Sequence, residues 1–189
     1  MDSVDIVLCG LGGQGILFMT RVIAQAALDK GLNIMGAETH GMAQRGGSVV
    51  SHLRLGQAQG SLVRTGSAHF LLGLDENEAY RNLPFLAKGA SMYVNVDPKN
   101  FPRQEVRDFL AKRNVTYHAI PAGNIAMALS APQSSNLALL GYFSAFSEGP
   151  VSKGEFVATI ERLSPERYRE KNLEIFEAGL SRGLEEKGA

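Results

Sequence analysis

The beginning of the chain constrains its fold most strongly. An apolar run, Val4 to Cys9, leads directly into the glycine-rich segment GLGGQG, and an amphipathic pattern follows from Ile16 to Lys30. An apolar run that ends at glycine is typical of a buried parallel strand, and apolar residues repeated every three to four positions are typical of a helix. Gly31 is a good helix terminator, and a second strand over 32–37 completes a β-α-β unit with an expected right-handed crossover.

The same alternation of apolar runs and helical patterns extends through the chain. Residues 48–55 alternate, which places Val50, His52 and Arg54 on one face of a strand. Further strands are predicted over 69–74, 91–96 and 115–120, and helices from the acidic segment DENEA and over 105–113, 125–129, 136–146 and 153–162. A last helix is expected with Ser164 as its cap and Pro165 at its first position. The sequence therefore predicts a single domain, 1–189, with an α/β fold: three α/β/α layers around a Rossmann-like, mostly parallel sheet, and a helical C-terminal part.

Composition excludes several classes of function. The 189 residues include 19 basic and 19 acidic side chains, and this balance gives no support to nonspecific nucleic-acid or membrane binding. No segment has the pattern of a signal peptide, and no apolar run approaches the ~20 residues that span a bilayer, so we expect a cytoplasmic protein. The single cysteine, Cys9, is expected in the core, and one cysteine cannot supply an iron–sulfur cluster or a Cys-based zinc site.

The first glycine-rich loop matches a nucleotide-binding pattern. Gly10, Gly12 and Gly15 satisfy G-x-G-x-x-G between a predicted strand and a predicted helix. Glycines at these positions permit a tight turn, and the N-terminus of the following helix attracts an anion. Glu38 stands at the end of the second predicted strand, where a dinucleotide-binding fold has the acid that binds the ribose.

Two residues depart from the simplest form of this pattern. Gly13 is an additional glycine, and Gln14 is polar where a small or apolar residue suffices for packing. Three interpretations of the loop stay open. It binds NAD(P), it binds an anion or cofactor fragment or faces a partner subunit, or it is a turn needed only for packing of the strand against the helix.

A second glycine-bearing loop follows in the segment HGMAQRGG. Arg45 lies between Gln44 and the pair Gly46–Gly47. Because glycines leave room around it, its guanidinium can reach a carboxylate or a phosphate with two hydrogen bonds. His40 can transfer a proton or donate a hydrogen bond. The alternative is a local role, in which Arg45 pairs with Glu38 and only fixes the loop.

The two loops together resemble the gamma-type module of the 2-oxoacid:ferredoxin oxidoreductases. The matching segments are GLGGQGILFMTRVIAQAALDKG and ETHGMAQRGGSVVSHLRLG, followed in the same order by LLGLDENEAYRNLPFL, VNVDP, SSNLALLGYFSA and KNLEIFEAGL. The resemblance therefore covers nearly the whole chain. The first loop is common to gamma-type modules, whereas HGMAQRGGSV is similar to the beta subunit in the branch that acts on indolepyruvate and related aryl pyruvates.

This resemblance implies a subunit of a heteromeric enzyme that depends on thiamine diphosphate. Such an enzyme oxidatively decarboxylates an aryl pyruvate, forms an acyl-CoA and passes the electrons to ferredoxin. Thiamine diphosphate and the iron–sulfur clusters are expected on the partner alpha subunit, with no cofactor bound tightly by this chain, and CoA is a co-substrate. The gamma-type module is expected to complete the assembly and to help form the cavity for CoA or for the substrate. The alternatives are an enzyme for another 2-oxoacid, a stand-alone NAD(P)-binding protein and a subunit that serves only assembly.

The family pattern also bears on three residues beyond the loops. Asn136 and Asn172 match asparagines of the family, and capping or packing is the favoured role for each, with a role in the site as the alternative. His69 stands where the pattern has Asp, so no acidic role is expected there. The residues predicted to bind a cofactor or face a partner are Gly10, Gly12, Gly13, Gln14, Gly15, Glu38, His40, Gln44, Arg45, Gly46, Gly47 and Asn136.

Overall fold

The computed structural model describes residues 3–41 and 46–188. Its sheet consists of β1 (Val4–Leu11), β2 (Ile34–His40), β3 (Ser48–Leu55), β4 (Ala68–Gly73), β5 (Leu86–Asn95) and β6 (Thr116–Ile120). The helices are α1 (Ile16–Asp29), α2 (Glu76–Arg81), α3 (Gln104–Lys112), α4 (Ala122–Ala128), α5 (Ser135–Phe146), α6 (Lys153–Leu163) and α7 (Glu166–Gly188). The predicted α/β alternation and the helical C-terminal part are confirmed.

The sheet is mostly parallel, as predicted, but one strand is inserted in the first β-α-β unit. The strand order is β2-β3-β1-β4-β5-β6. Strands β1, β4, β5 and β6 are parallel neighbours, whereas β3 is antiparallel to both β1 and β2. Strand β2 therefore runs in the direction of β1 but is separated from it by β3.

The alternating pattern of β3 fits its place between two strands, with both faces covered. Leu53 and Leu55 are each 1% exposed and lie in the core beneath α1. On the opposite face, the ring of His52 accepts a hydrogen bond from the N–H of Val63 (3.3 Å). A strand with a partner on each side and contacts on each face is held in register by both its pattern and its pairing.

Helices cover both faces of the sheet, which confirms the three-layer prediction. Ile6 and Leu8 of β1 point into the core that includes residues of α1, α5, α6 and α7. Cys9 points to the other face, into the core that includes residues of α2 and α3. Cys9 is fully buried, as its place in the first apolar run predicts.

Helix α1 ends at Asp29, and Gly31 stops it two residues later, as predicted. Gly31 has φ +84°, a left-handed conformation that favours glycine. Its N–H donates to the carbonyl oxygen of Leu28 (2.8 Å), and the N–H of Leu32 donates to that of Ala27 (3.0 Å). These two bonds satisfy carbonyl groups of the last turn and turn the chain towards β2.

Glycines bring α5 and α7 into close contact. A Cβ atom at Gly141 would overlap the carbonyl oxygen of Phe176, and one at Gly179 would overlap that of Ala138. Nearly all of α5 is buried in consequence. The helical C-terminal part is therefore packed into the same core as the sheet.

Two element boundaries differ from the prediction because of contacts between distant segments. Strand β5 begins at Leu86, where the carbonyl oxygen accepts a hydrogen bond from the side chain of Arg113 (2.8 Å). Helix α7 begins at Glu166. Ser164 stays outside it, and its hydroxyl accepts a hydrogen bond from Asn172 Nδ2 (2.9 Å).

Candidate functional site

The described residues of the two predicted loops lie at one edge of the sheet. The first glycine loop follows the carboxyl end of β1, and the second loop joins the carboxyl end of β2 to the start of β3. Because β1 and β2 run in the same direction, both loops lie at the edge where the parallel strands end. In open α/β sheets, ligands bind in the crevice outside this edge. The two sequence segments therefore form one candidate site.

The two loops are hydrogen-bonded to each other. The N–H of Gly12 donates to the carbonyl oxygen of Gly47 (2.8 Å), and the N–H of Gly46 donates to the carbonyl oxygen of Gly12 (3.3 Å). At the base of the second loop, the N–H of Gly41 donates to the carbonyl oxygen of Ser48 (2.7 Å). The resulting surface is called the two-loop cradle and consists of residues 10–15, Gly41, Gly46 and Gly47.

Gln14 shapes the first loop from within. Its Oε1 atom accepts a hydrogen bond from the N–H of Leu11 (2.7 Å). A Cβ atom at Gly10 would lie 2.6 Å from this oxygen and 2.9 Å from Ile16 Cδ1. Glycine at position 10 therefore makes room for the folded-back Gln14 side chain. Gly13 has φ +100°, and no described atom lies within 4 Å of a Cβ added there, so its requirement is conformational.

Asn136 links α5 to the start of α1. Its Nδ2 atom donates to the carbonyl oxygen of Gly15 (3.0 Å), and the residue is 4% exposed. A Cβ atom at Gly15 would lie 2.6 Å from Nδ2. Asn136 does not cap its own helix, because its amide is directed across to α1. The predicted capping role is therefore wrong, and the packing role places Asn136 at the cradle.

The start of α1 is suited to an anion. Gly15, which precedes the helix, brings no capping side chain, and the first turn contains no acidic residue. The first N–H groups of a helix have no acceptor within the helix, and they carry the positive end of its dipole. A phosphate or carboxylate can accept hydrogen bonds from such groups without a basic side chain.

A pocket of about 350 Å³ opens beside the start of α1. Asn172 forms part of its wall, where Nδ2 donates to Ser164 Oγ (2.9 Å) and Oδ1 accepts from Ser134 Oγ (3.4 Å). These bonds fit the packing role favoured from the sequence, and the alternative role in the site stays a prediction. The described residues that line the pocket are uncharged: Gly15, Phe18, Gln133, Ser134, Asn136, Leu137, Pro165, Tyr168 and Asn172.

Glu38 and His40 lie on β2, one strand removed from the first glycine loop. His40 Nε2 is 3.6 Å from Glu38 Oε2, and both side chains are exposed. A dinucleotide-binding fold has its second strand beside the first, so that the acid reaches the ribose, whereas β3 lies between them here. The NAD(P) interpretation loses its geometric basis. Gln44 and Arg45 lie outside the described residues, and the roles predicted for them stay predictions.

Glu78 is a residue near the cradle that sequence reasoning missed. It is 2% exposed, and its Oε2 atom accepts a hydrogen bond from Ser48 Oγ (2.6 Å). In the sequence it belongs to the acidic segment DENEA, which predicts only a favourable helix dipole. Asp75 in the same segment caps α2, and its Oδ1 atom accepts from the N–H groups of Asn77 (2.9 Å) and Glu78 (3.0 Å). The sequence does not distinguish the buried Glu78 from the other acidic residues of this segment, because its burial depends on tertiary structure.

Cys9 has no reactive character in this site. Burial raises the pKa of its thiol far above the ordinary range, and the negative charges of Glu78 and Asp75 raise it further. The thiol therefore stays protonated at neutral pH, although nucleophiles and metal ligands are thiolates. Within residues 3–41 and 46–188, no group of three or more His, Cys, Asp or Glu side chains is arranged to hold a metal ion. In this part of the chain, no helix combines the length and apolarity needed to cross a membrane.

Curated relatives match the chain from end to end. The family model described as pyruvate ferredoxin/flavodoxin oxidoreductase matches residues 5–182. The chain is 31% identical to indolepyruvate oxidoreductase subunit IorB of Methanothermobacter thermautotrophicus, over 96% of this chain and 98% of the relative. It is also 31% identical to IorB of Archaeoglobus fulgidus, over 95% of each chain. Identity to 2-oxoglutarate synthase subunit KorC of Methanothermobacter marburgensis is 25%, over 93% of this chain and 94% of the relative.

Solved structures share the fold. The gamma subunit of a keto/oxoacid ferredoxin oxidoreductase from Geobacter sulfurreducens has a TM-score of 0.75 at 22% identity, with 96% of this chain and 99% of that chain covered. Pyruvate oxidoreductase subunit PORC from Thermotoga maritima has a TM-score of 0.74 at 20% identity, with 96% and 97% covered. At these identities the likeness concerns the fold alone.

Proposed function

Because the chain belongs to the pyruvate ferredoxin/flavodoxin oxidoreductase family, we propose that it is the non-cluster, gamma-type subunit of an indolepyruvate:ferredoxin oxidoreductase. The enzyme oxidatively decarboxylates indolepyruvate and related aryl pyruvates, forms an acyl-CoA and passes electrons to ferredoxin. One observation carries the choice: two curated relatives, 31% identical over nearly their whole length, are indolepyruvate oxidoreductase subunits.

The residues of this chain do not fit an iron–sulfur cluster. Cys9 is its only cysteine, and it is fully buried in the core with a raised pKa. The cluster is therefore assigned to the alpha subunit, which is the proposed partner and the subunit from which ferredoxin receives electrons. The resemblance to the family assigns thiamine diphosphate to the same subunit. We place the assembled enzyme in the cytoplasm. Its proposed partners include neither a membrane nor a nucleic acid.

The contribution proposed for this chain is binding and orientation at the two-loop cradle. The uncapped start of α1 offers backbone N–H groups to an anionic group of CoA or of the 2-oxoacid. The neighbouring pocket of about 350 Å³ offers amide and hydroxyl side chains and the rings of Phe18 and Tyr168. Groups that orient a co-substrate and exclude water accelerate a reaction whose chemistry a cofactor carries out. No residue of this chain is assigned a proton transfer.

A second candidate function is the same role in an enzyme for another 2-oxoacid. The 25% identity to a 2-oxoglutarate synthase subunit over 93% of the chain favours this possibility. The two functions share the fold and the cradle, and they differ only in the substrate that the complete enzyme oxidises.

Reconstitution tests the proposal. The chain is co-expressed with an alpha subunit encoded in the same genome, and association is measured by size-exclusion chromatography with light scattering. CoA-dependent reduction of ferredoxin or a viologen dye is then measured with indolepyruvate, pyruvate and 2-oxoglutarate. We expect a stable complex that prefers indolepyruvate. Failure to associate, or CoA-dependent oxidation of only a different 2-oxoacid, would overturn the proposal.

A further inference from the structure

Glu78 is a buried acid that the proposed chemistry does not use. It lies in α2, and its side chain is 2% exposed. A buried carboxylate is unfavourable unless it is paired and hydrogen-bonded, which makes such residues rare in protein interiors. Both of its oxygen atoms have partners, since Oε1 pairs with Arg81 Nη1 (2.7 Å) and Oε2 accepts a hydrogen bond from Ser48 Oγ (2.6 Å).

The two partners of Glu78 have different roles. Arg81 lies three residues later in the same helix, and its side chain is 71% exposed, so it compensates the buried charge from the surface. Ser48 is the first residue of β3 and directly follows Gly46 and Gly47 of the cradle. The bond to Ser48 therefore joins α2 to the end of the second loop, across 30 positions of sequence.

From Ser48, hydrogen bonds continue into both loops. Its own carbonyl oxygen accepts from the N–H of Gly41 (2.7 Å), which is the other end of the second loop. The preceding residue, Gly47, accepts from the N–H of Gly12 (2.8 Å) in the first loop. A displacement of Ser48 therefore moves both ends of the second loop and changes its contact with the first.

We propose that Glu78 is a positioning residue for the two-loop cradle. It touches no ligand, and it acts through Ser48 to set the distance between the two glycine loops. Its carboxylate holds Ser48 in place, because α2 is itself fixed on the sheet through the buried residues Glu78 and Ala79. What the cradle binds rests on the proposed function, whereas the coupling of Glu78 to the two loops does not.

The expected kinetic effect is on binding of the anionic ligand of the cradle, CoA or the 2-oxoacid. In the reconstituted enzyme, Glu78→Ala and Ser48→Ala each raise KM for CoA or for the 2-oxoacid about tenfold and leave kcat within about twofold. The reason is that a displaced surface binds the ligand more weakly in the ground state and in the transition state alike. Glu78→Gln keeps an oxygen that accepts from Ser48, so its KM stays close to that of the wild type. Glu76→Gln is the matched control, since Glu76 lies in the same helix and pairs with Arg103 (2.9 Å), away from the cradle.

Hydrogen exchange reports on the cradle independently of catalysis. Exchange is measured by mass spectrometry on the same complexes, in peptides that cover 8–18 and 40–50. Glu78→Ala and Ser48→Ala are expected to exchange faster in both peptides, with Glu78→Gln and Glu76→Gln unchanged and peptides of β5 unchanged in all variants. Should Glu78→Ala fail to fold, Ser48→Ala carries the test.

Unchanged exchange in both peptides of Ser48→Ala, or a loss of kcat with constant KM, would overturn the positioning role. A wild-type complex without CoA-dependent turnover would overturn the proposed function instead, and the exchange measurement would still decide the role of Glu78. The two failures are therefore distinguishable.

Discussion

At the residue scale, Gly15 is the most constrained position of the cradle. It has φ +81°, where a side chain is strained, and a Cβ atom there would lie 2.6 Å from Asn136 Nδ2. Two separate requirements therefore meet at one residue. One belongs to the turn that starts α1, and the other belongs to the contact between α1 and α5.

Substitution of this glycine separates the two requirements. Gly15→Ala is expected to lower the free energy of unfolding by about 2–5 kcal/mol, since left-handed backbone costs about 1–2 kcal/mol and overlap with a packed side chain about 1–3 kcal/mol. Gly13→Ala is the control, because its φ is +100° but no described atom lies within 4 Å of the added Cβ atom. Urea denaturation measures both losses. Equal losses, or no relief of the Gly15→Ala defect by Asn136→Ala, would contradict the role of this contact.

The thiol of Cys9 makes a pH prediction. Burial raises its pKa in the folded chain above the value of about 8.5 in the unfolded chain. The unfolded chain therefore loses this proton first as pH rises. The associated stability is fully present below about pH 8.5 and decreases by about 1.4 kcal/mol per pH unit until the folded pKa is reached.

Urea denaturation at pH 8 and pH 10 checks this slope. The wild type is expected to lose more stability over this interval than Cys9→Ala, which lacks the titrating group. The comparison cancels the contributions of other groups, including the buried Tyr93 and Tyr142, whose pKa values burial also raises. An identical pH dependence of the two proteins would show that Cys9 does not keep its proton in the folded state.

At the scale of elements, the contact between α5 and α7 determines how the C-terminal helices join the core. Gly141 and Gly179 allow the two backbones to approach until only a hydrogen atom fits between a Cα atom and the facing carbonyl oxygen. The atoms that face these two glycines belong to the backbone of the other helix, and backbone atoms cannot move aside as a side chain can. The helices must therefore separate if either glycine acquires a side chain.

Gly179→Ala is expected to reduce the free energy of unfolding by about 3 kcal/mol or more, because it forces α7 away from α5. The matched control is Gly154→Ala in α6, where no described atom lies within 4 Å of the new Cβ atom. There the change is expected to stabilise the chain by less than about 1 kcal/mol, since alanine is the better helix former but Gly154 lies in the first turn of α6. Thermal unfolding with urea denaturation measures both. A neutral Gly179→Ala variant would disprove the close approach.

At the scale of the whole molecule, the sequence predicts the local structure well and the pairing of strands poorly. Alternation in residues 48–55 predicts strand β3 with its bounds, because successive side chains of a strand face opposite sides of the sheet. It contains no information on which neighbours β3 pairs with, so its insertion between β1 and β2 was not predicted. That insertion removes Glu38 from the first glycine loop and with it the dinucleotide interpretation.

In the candidate site too, local features are predictable from the sequence and contacts between distant residues are not. The glycines of both loops are recognisable because turns and helix starts require them at short spacing. The contacts that hold the loops together join distant positions, as Asn136 does to Gly15 and Glu78 does to Ser48, 121 and 30 residues apart. A single sequence does not reveal such pairs, so Asn136 was recognised without its partner and Glu78 was not recognised.

The substrate preference of the reconstituted enzyme tests the central claim most directly. With the alpha subunit and CoA present, kcat/KM is measured for indolepyruvate and for 2-oxoglutarate, with each subunit alone as control. We expect turnover only when both subunits are present, and a kcat/KM for indolepyruvate at least about tenfold above that for 2-oxoglutarate, a difference of roughly 1.4 kcal/mol in transition-state binding. Turnover of indolepyruvate by the alpha subunit alone, or a preference for 2-oxoglutarate, would contradict it.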